Sequence, residues 1–312
     1  MEVAETHEYR HEALFYEGAE AFMEGVVPFV DDAVQAEEPI LVVLSAAKID
    51  HLREALGDTA EPVLFADMAE IGTNPARIIP AWQEFLSENA ASGRRMRGIG
   101  EPIWAERSPA EMVECERHEA LLNVAFGDPA FWLLCPYDTG ALAPEVIEEA
   151  QRNHPHLTAA GAAGDSTRFP GNDALAAPFD RPLPEPPADA LTVAIERRSL
   201  GQIRAVVAGF AYAAGMAEHA VADLVLAVDE LAGNSILHAG GSGTLLLWRE
   251  GDAVICEVRD GGRIDLPLAG RVEPPRFTEG GRGLWIANQL CELVQIRSFA
   301  DGGAVRVHKR VR

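Results

Sequence analysis

The feature that most limits how this chain can fold is a proline-rich segment that runs from Ala159 to Ala190. It holds six of the 20 prolines in about a tenth of the chain. Because proline fixes φ and lacks an amide hydrogen, neither a helix nor a central strand can pass through such a segment. The total length of 312 residues also suits about two domains of ordinary size. We therefore expect one domain at residues 1–158, a linker at 159–190 and a second domain at 191–312.

Two kinds of segment alternate in the first domain. Short apolar runs predict buried strands at residues 39–45, 61–67, 95–104 and 131–138. Helical patterns lie around them, at residues 18–36, 47–56, 75–91, 109–126 and 144–153. Apolar strands that alternate with helices indicate an α/β fold with a parallel sheet covered on both faces. Ligands bind beyond the carboxyl ends of the strands in such folds, where Glu101 and Asp138 stand.

The second domain has a different pattern. Two long helical segments are predicted at residues 199–215 and 217–239. They are followed by a pair of strands at 243–262, a glycine-rich loop, a helix at about 283–292 and a final pair of strands at 294–310. Helices on one face of a mixed sheet would make an α+β sandwich.

The charge balance excludes one class of function. The chain has 26 basic and 49 acidic residues, which gives a formal charge of −23. A nucleic-acid-binding surface needs clustered Lys and Arg, and an anionic membrane repels an acidic protein. We therefore expect neither direct nucleic-acid binding nor membrane association.

The amino terminus and the cysteines indicate a cytoplasmic protein. The first residues are acidic and polar, without the basic and apolar regions of a secretory signal, and no apolar run is long enough to span a bilayer. The four cysteines form no CxxC pair. We therefore expect free thiols in a reducing cytoplasm and no structural zinc site.

Three short motifs of the second domain carry its chemistry. In the first, Glu230, Asn234 and His238 are four residues apart and share one helix face. An amide oxygen from Asn234 suits Mg²⁺, and a carboxylate one turn earlier can orient or deprotonate a nucleophile. The alternative for this motif alone is an amphipathic helix with a solvated polar stripe.

The other two motifs lie in loops. Asp260 ends an apolar strand before two glycines, where its carboxylate can accept a hydrogen bond from an exocyclic amine; the alternative is an ordinary turn. The segment at 278–287 is a glycine-rich loop that opens a helix. The free amides and the dipole of such a helix bind anions, and Arg282 adds positive charge; the alternative is a flexible loop with a helix cap.

In this order and spacing, the three motifs resemble those of the GHKL family of ATP-binding domains, in particular the bacterial anti-sigma factor kinases common in actinobacteria. The resemblance covers residues 191–312 and implies a Bergerat-type ATPase sandwich with ATP and Mg²⁺ as cofactors. Asn234 would hold Mg²⁺, Asp260 would recognise adenine and Gly262 would flank the base. Glu230 would be the base that prepares a serine or threonine hydroxyl. The loop residues that would hold the phosphates are Gly281, Arg282, Gly283 and Leu284.

The sequence departs from the family pattern at two places. Ile264 stands where the adenine motif normally has a second glycine, and Gly303-Ala304 stands where the last strands often carry a threonine near the base. The expected lid, at 263–279, is short. The chain shows no helix pair for dimerisation and phosphoacceptance before the second domain, which disfavours a conventional histidine kinase.

The first domain resembles a MEDS domain, a sensory module with a degenerate RecA-like α/β fold. The resemblance rests on the segment His11–Tyr16, the glycine-led helix after it and the apolar run at 39–45, and on strand-end motifs at Gly100–Pro102 and Cys135–Asp138. It implies that this domain senses an unknown small molecule.

The individual residues of the first domain leave several interpretations open. No GxxxxGK[ST] motif follows the first apolar segment, so no phosphate-binding loop is expected. His11 is either a contact for the sensed ligand, with Glu101 and Asp138, or a surface histidine near the terminus. Cys135 is expected in the core, and His118-Glu119 on a solvated helix face.

Three functional hypotheses follow. The first is a cytoplasmic regulator that phosphorylates an anti-anti-sigma (STAS-type) partner, binds a sigma factor, or does both, under control of the sensory domain. The second is a binding module in which the nucleotide is only a conformational ligand. The third is a histidine kinase-like component that acts in trans. The family resemblance also implies a homodimer.

Overall fold

The structure is a computed structural model that describes residues 9–127, 129–159, 161–171, 181–275 and 281–311. The chain divides into two compact units, at residues 1–176 and 177–312. The predicted linker at 159–190 contains this division, and it also contains strand β7 (Ala162–Asp165). The domain bounds given above stay a prediction.

The first unit is built on a seven-stranded sheet of order β3-β2-β4-β5-β1-β6-β7 among the described residues. Its other strands are β1 (Arg10–Tyr16), β2 (Ile40–Leu44), β3 (Leu64–Asp67), β4 (Met96–Gly100), β5 (Phe131–Asp138) and β6 (His156–Ala159). All neighbours pair in parallel except β6 and β7, which are antiparallel. The parallel α/β prediction is confirmed in this coarse sense, and the sheet is mixed at one edge.

The helices of this unit agree closely with the periodicity of the sequence. They are α1 (Gly18–Gln35), α2 (Ala46–Leu56), α3 (Met68–Ile71), α4 (Ile78–Asn89), α5 (Pro109–Ala125) and α6 (Pro144–Asn153). The start of α5 is fixed by a capping box, in which Ser108 and Glu111 bond each other's backbone amides.

Both faces of this sheet are covered. On β4, Ile99 joins the apolar core formed with α1 and α2. Its neighbours Gly98 and Gly100 face the opposite side, where the ring of Trp82 from α4 packs against them. A Cβ added at either glycine would lie within about 3 Å of that ring. Alternate residues of a strand point to opposite faces, so helices pack on each side as a parallel sheet requires.

The second unit contains a five-stranded sheet of order β11-β12-β10-β9-β8. Its strands are β8 (Leu191–Glu196), β9 (Ser242–Glu250), β10 (Ala253–Asp260), β11 (Leu293–Phe299) and β12 (Gly302–Arg310). Every described pair is antiparallel, so the expectation of a mixed sheet is wrong. The reason is connectivity: β9–β10 and β11–β12 are tight hairpins, which join antiparallel strands.

Three helices pack on this sheet: α7 (Leu200–Ala213), α8 (Glu218–His238) and α9 (Arg282–Leu290). The shared core includes Val207 of α7, Leu224 and Leu231 of α8, Ala287 of α9 and Val307 of β12, all nearly or fully buried. This is an antiparallel sheet with helices, consistent with a GHKL-like ATPase. Within the described residues, no helix combines the length and apolar character that crossing a bilayer requires.

Candidate functional site

A cavity of about 510 Å³ in the second unit brings the three sequence motifs together. Its lining includes five of the predicted site residues: Asn234, Asp260, Gly262, Gly281 and Leu284. Its volume lies within the range of roughly 300–1,000 Å³ that is usual for small-molecule sites. Glu230, Arg282 and Gly283 stand beside it and are not among the described lining residues.

Asp260 is held in place by its own neighbours. Its Oδ2 accepts a hydrogen bond from the Ser235 hydroxyl on α8, at 2.5 Å. Its Oδ1 accepts one from the Gly262 amide, at 2.8 Å. A carboxylate has about four lone-pair sites, so these two bonds fix its orientation and leave capacity for one more donor from the cavity. The arrangement suits recognition of an exocyclic amine.

Gly283 brings the helix motif and the loop motif into contact. A Cβ at this position would lie 2.6 Å from Nδ2 of Asn234 and 3.3 Å from Oε2 of Glu230. Only glycine leaves room for both side chains, which therefore share the face of α8 that meets the start of α9. Because Nδ2 faces the glycine, Oδ1 is the atom of Asn234 that remains for a cation.

The start of α9 forms one wall of the cavity. Its N-cap residue, Gly281, has a φ of +80°, a left-handed conformation that glycine adopts without strain, and a Cβ added there would meet none of the described residues within 4 Å. Arg282 is the first residue of the helix. Free amides at a helix start attract anions, so this wall suits phosphates. Thr278, Glu279 and Gly280 of the same motif lie outside the described residues, as does part of the expected lid.

The two positions at which the sequence departs from the family pattern both lie at the cavity. Ile264 lines the cavity, and its backbone amide donates to the hydroxyl of Ser298 at 2.9 Å. Gly303 lines the cavity as well. An isoleucine at this wall adds apolar surface suited to the face of a flat ring and leaves the polar groups of the cavity unchanged.

A second cavity, of about 430 Å³, lies in the first unit. It is lined by Tyr16, Glu101 and Asp138, which stand at or just beyond the carboxyl ends of β1, β4 and β5. Lys48, from α2, donates to both oxygens of Glu101 and to the Tyr16 hydroxyl, each at 2.6 Å. This is the edge at which a parallel sheet binds ligands.

The polar groups of this cavity have shifted ionisation. Burial raises the pKa of the Glu101 carboxyl, against the opposing effect of Lys48. Burial, together with the charge of Glu101, raises the pKa of the Tyr16 hydroxyl far above its usual range. A hydrogen-bonded group of a lysine, a carboxyl and a phenol in the lining of a cavity is suited to bind a polar small molecule.

Two expectations about the first unit are wrong. His11 is not at the surface, because β1 is a central strand and its side chain is only 1% exposed. It also does not line the cavity around Glu101. His118 and Glu119 are not on a solvated face, because α5 is packed on several sides and both residues are buried. Cys135 is buried, as expected, and burial raises the pKa of its thiol well above the usual value.

His11 instead meets three other buried side chains. Glu119, Cys135 and His154 each place a polar atom near its ring. Burial and the neighbouring His154 lower the pKa of His11 to about 4, so its ring is neutral at pH 7.

Comparison with known protein families gives a match for each unit. Residues 10–155 match the MEDS family, the methanogen/methylotroph DcmR sensory domain. Residues 193–309 match the histidine kinase-like ATPase domain. The chain joins a MEDS sensory domain to a histidine kinase-like ATPase domain. Both family resemblances drawn from the sequence motifs are thereby confirmed at the level of the domain.

No curated protein matches this chain at a significant level. Among solved structures, the chain is similar to the RsbU and RsbW domains of Rv1364c from Mycobacterium tuberculosis, with 19% identity and a TM-score of 0.30. That similarity covers 40% of this chain and only 33% of the other.

The residues of the ATPase domain fit the nucleotide that such domains bind. The cavity offers a fixed carboxylate at Asp260, an amide oxygen at Asn234 and an open helix start at Gly281. These are acceptors for an amine, a ligand for a hard cation and donors for phosphates. The glycine at position 283 preserves the space that Asn234 and Glu230 occupy.

Some important side chains are not predicted from the sequence. Ser235, which orients Asp260, follows Asn234 directly in α8 and could have been found as a serine among apolar core positions of a helix. Lys48 follows a strand end by a few residues, as ligand-binding residues of α/β folds often do, but the helix pattern around it does not distinguish it from a solvent-exposed lysine.

Proposed function

We propose that this protein is a signalling regulator whose ATPase domain binds ATP with Mg²⁺ and phosphorylates a serine or threonine of an anti-anti-sigma (STAS-type) partner. The observation that carries the proposal is the convergence of Asn234, Asp260 and Gly281 on one cavity, with Glu230 beside it. We also propose a cytoplasmic location, in keeping with the free buried cysteines at residues 115, 135, 256 and 291.

The residues of the three sequence motifs have separate roles in holding the nucleotide. The fixed carboxylate of Asp260 accepts a hydrogen bond from the amine of adenine. The amides at Gly281 and the following turn, together with Arg282, face the phosphates. Asn234 would supply an oxygen to Mg²⁺, and the ion would neutralise phosphate charge when bound. Bound ATP supplies the phosphoryl group that the reaction transfers.

Glu230 is the proposed base. Its carboxylate sits one helical turn before Asn234 and close to Gly283, hence near the phosphate side of the cavity. From there it would orient the hydroxyl of a protein substrate and accept its proton as the phosphoryl group is transferred. Most of the rate enhancement in such a reaction comes from positioning and charge neutralisation.

The MEDS domain is the proposed sensory domain. Its cavity, with Lys48, Glu101 and Asp138 around it, would bind a polar small molecule and thereby alter the activity of the ATPase domain. His11 belongs to a different, closed cluster, so we assign the sensory contact to Glu101 and Asp138. A sigma factor and a homodimeric partner are further proposed associations, by resemblance of the ATPase domain to anti-sigma kinases.

A phosphorylation assay with purified full-length protein tests the catalytic part. The protein is incubated with labelled ATP, Mg²⁺ and candidate STAS-type partners. Glu230→Gln should bind ATP as the wild type does and lose transfer by about 100-fold or more, the usual contribution of a general base. Asp229→Asn is the matched control, because Asp229 is adjacent but pairs with Arg204 away from the cavity.

The assay separates the proposal from its two alternatives. If ATP binds but no partner is ever phosphorylated, the domain is a nucleotide-binding module without transfer. If acid-labile phosphate appears on a histidine, it is a histidine kinase component that acts in trans. Equal activities in Glu230→Gln and Asp229→Asn would show that Glu230 is not the base.

A further inference from the structure

Four buried side chains of the MEDS domain direct their polar atoms at one point. They are His11 from β1, Glu119 from α5, Cys135 from β5 and His154, which directly follows α6. Their potential ligand atoms all lie within 4.8 Å of one another. Each side chain is at most 1% exposed, so the group is closed to solvent. This cluster has no part in the function proposed above.

The hydrogen bonds around the cluster define which nitrogen of each histidine faces it. His154 Nδ1 lies 2.7 Å from the Ala150 carbonyl oxygen, which can only accept, so Nδ1 carries the proton. His11 Nδ1 lies 3.1 Å from Oδ1 of Asn123, whose amide nitrogen is committed to the carbonyl of Asn153. With the proton on Nδ1, each ring therefore directs Nε2 at the cluster, and a ring without a second proton presents the lone pair of Nε2 there.

These lone pairs face a carboxylate. Oε2 of Glu119 lies 3.2 Å from Nε2 of His11 and 3.2 Å from Nε2 of His154. The Cys135 thiol can donate its one proton to Nε2 of His11, at 3.4 Å. Nε2 of His154 and Oε1 of Glu119 have no hydrogen-bond partner among the described residues. A buried carboxylate in this position requires a positive charge.

The spacing of the atoms suits a metal ion. In a tetrahedral zinc site with bonds of about 2.0–2.3 Å, neighbouring ligand atoms are roughly 3.3–3.7 Å apart. Three of the six edges, at 3.2, 3.2 and 3.4 Å, are close to those values, and the other pairs of ligand atoms lie within 4.8 Å. Imidazole, thiolate and carboxylate are also the ligand types that zinc and related first-row ions use.

We propose that His11, Glu119, Cys135 and His154 form a binding site for Zn²⁺ or a similar divalent first-row ion. On binding, the Cys135 thiol loses its proton, so the thiolate and the Glu119 carboxylate together neutralise the two charges of the ion. Asn123 and the Ala150 carbonyl are the outer partners that hold the imidazoles in the ligating tautomer.

Such a site would have a structural role. Four protein ligands leave no open position for water or substrate, which is typical of structural zinc. The ligands come from the neighbouring strands β1 and β5, from α5 and from the residue that follows α6, so the ion would join the layers of the MEDS domain. The cysteine spacing gives no indication of it, because only one ligand is a cysteine and the others are distant in sequence.

Metal content and cobalt spectroscopy of the tag-free, full-length protein test the site. We expect about one zinc per chain after purification. After removal of zinc by a chelator, Co²⁺ should produce the visible bands of four-coordinate cobalt and a thiolate-to-cobalt charge-transfer band. Cys135→Ser should abolish the charge-transfer band and weaken cobalt binding by at least about tenfold. Cys115→Ser is the matched control, since Cys115 is equally buried on α5 and bonds only the Pro102 carbonyl in the structure.

Two results would overturn the proposal. One is a folded wild-type protein, by circular dichroism, that takes up no divalent ion at micromolar concentration; the cluster would then be a proton-bound network. The other is a Cys135→Ser variant with an unchanged cobalt spectrum. If that variant does not fold, X-ray absorption at the zinc edge of the wild type decides, because a coordination shell without sulfur contradicts the assignment.

Discussion

Replacing Gly283 with alanine should weaken ligand binding by the ATPase domain while leaving the domain folded. The added Cβ would lie 2.6 Å from Nδ2 of Asn234 and 3.3 Å from Oε2 of Glu230. Both atoms are at the ends of flexible side chains, so the side chains move and the backbone does not. The variant therefore displaces the proposed magnesium ligand and the proposed base together.

The expected magnitudes differ between stability and affinity. Overpacking costs about 1–3 kcal/mol, and alanine in place of a helical glycine returns about 0.5–1 kcal/mol, so the free energy of unfolding should fall by at most about 2 kcal/mol. Losing a hydrogen-bonding group next to charged phosphate and Mg²⁺ costs about 1.5–3 kcal/mol, which weakens ATP binding roughly 10- to 150-fold.

Calorimetric titration with ATP and Mg²⁺, together with urea unfolding, measures both quantities. Gly233→Ala is the control, because Gly233 adjoins Asn234 on α8 and a Cβ there meets nothing within 4 Å. It should bind ATP normally and be slightly more stable. Unchanged affinity in Gly283→Ala, or equal losses in both variants, would refute this view of the site.

Three further predictions concern stability. Gly302 has a φ of +146° and a Cβ there would meet the carbonyl oxygen of Asp260, so Gly302→Ala should lower the free energy of unfolding by about 2 kcal/mol or more in urea titration. Arg306→Met removes the more buried of the two cations that lie 2.5 Å from the fully buried Glu257, the other being Arg259, and should cost at most about 3 kcal/mol, part of it recovered by adding Glu257→Gln. Because burial raises the pKa of Glu101 above its ordinary 4.5, its ionisation opposes folding. Wild-type stability should therefore fall relative to Glu101→Gln as pH rises above 4.5, and a parallel pH dependence of the two would contradict the shift.

The residues proposed for the nucleotide site could be predicted from the sequence because each motif is a short stretch of neighbouring residues. An asparagine one turn after a glutamate, an aspartate at a strand end and a glycine at a helix start each depend on their neighbours in the chain. The cavity then forms where α8, β10 and α9 meet. The side chains that hold these residues in place could not be predicted in this way. An example is Ser235, whose hydroxyl orients Asp260.

Strands β1 and β8 are not among the strands predicted from the apolar runs, and the reasons are physical. Strand β1 carries two polar residues, His11 and Glu12, that pattern rules assign to the surface, yet both are buried by partners distant in sequence. Strand β8 lies at a sheet edge with most of its residues exposed, and its apolar alternation is only six residues long and directly follows the proline-rich segment. Tertiary packing, which single-sequence periodicity does not report, determines both.

The most direct test of the central claim is calorimetric titration of the full-length protein with ATP, with and without Mg²⁺. We expect one nucleotide per chain, tighter binding with Mg²⁺, and in Asp260→Asn a loss of the preference for ATP over GTP. No heat of binding with ATP at about 1 mM, which means less than about 4 kcal/mol of binding free energy, would contradict it.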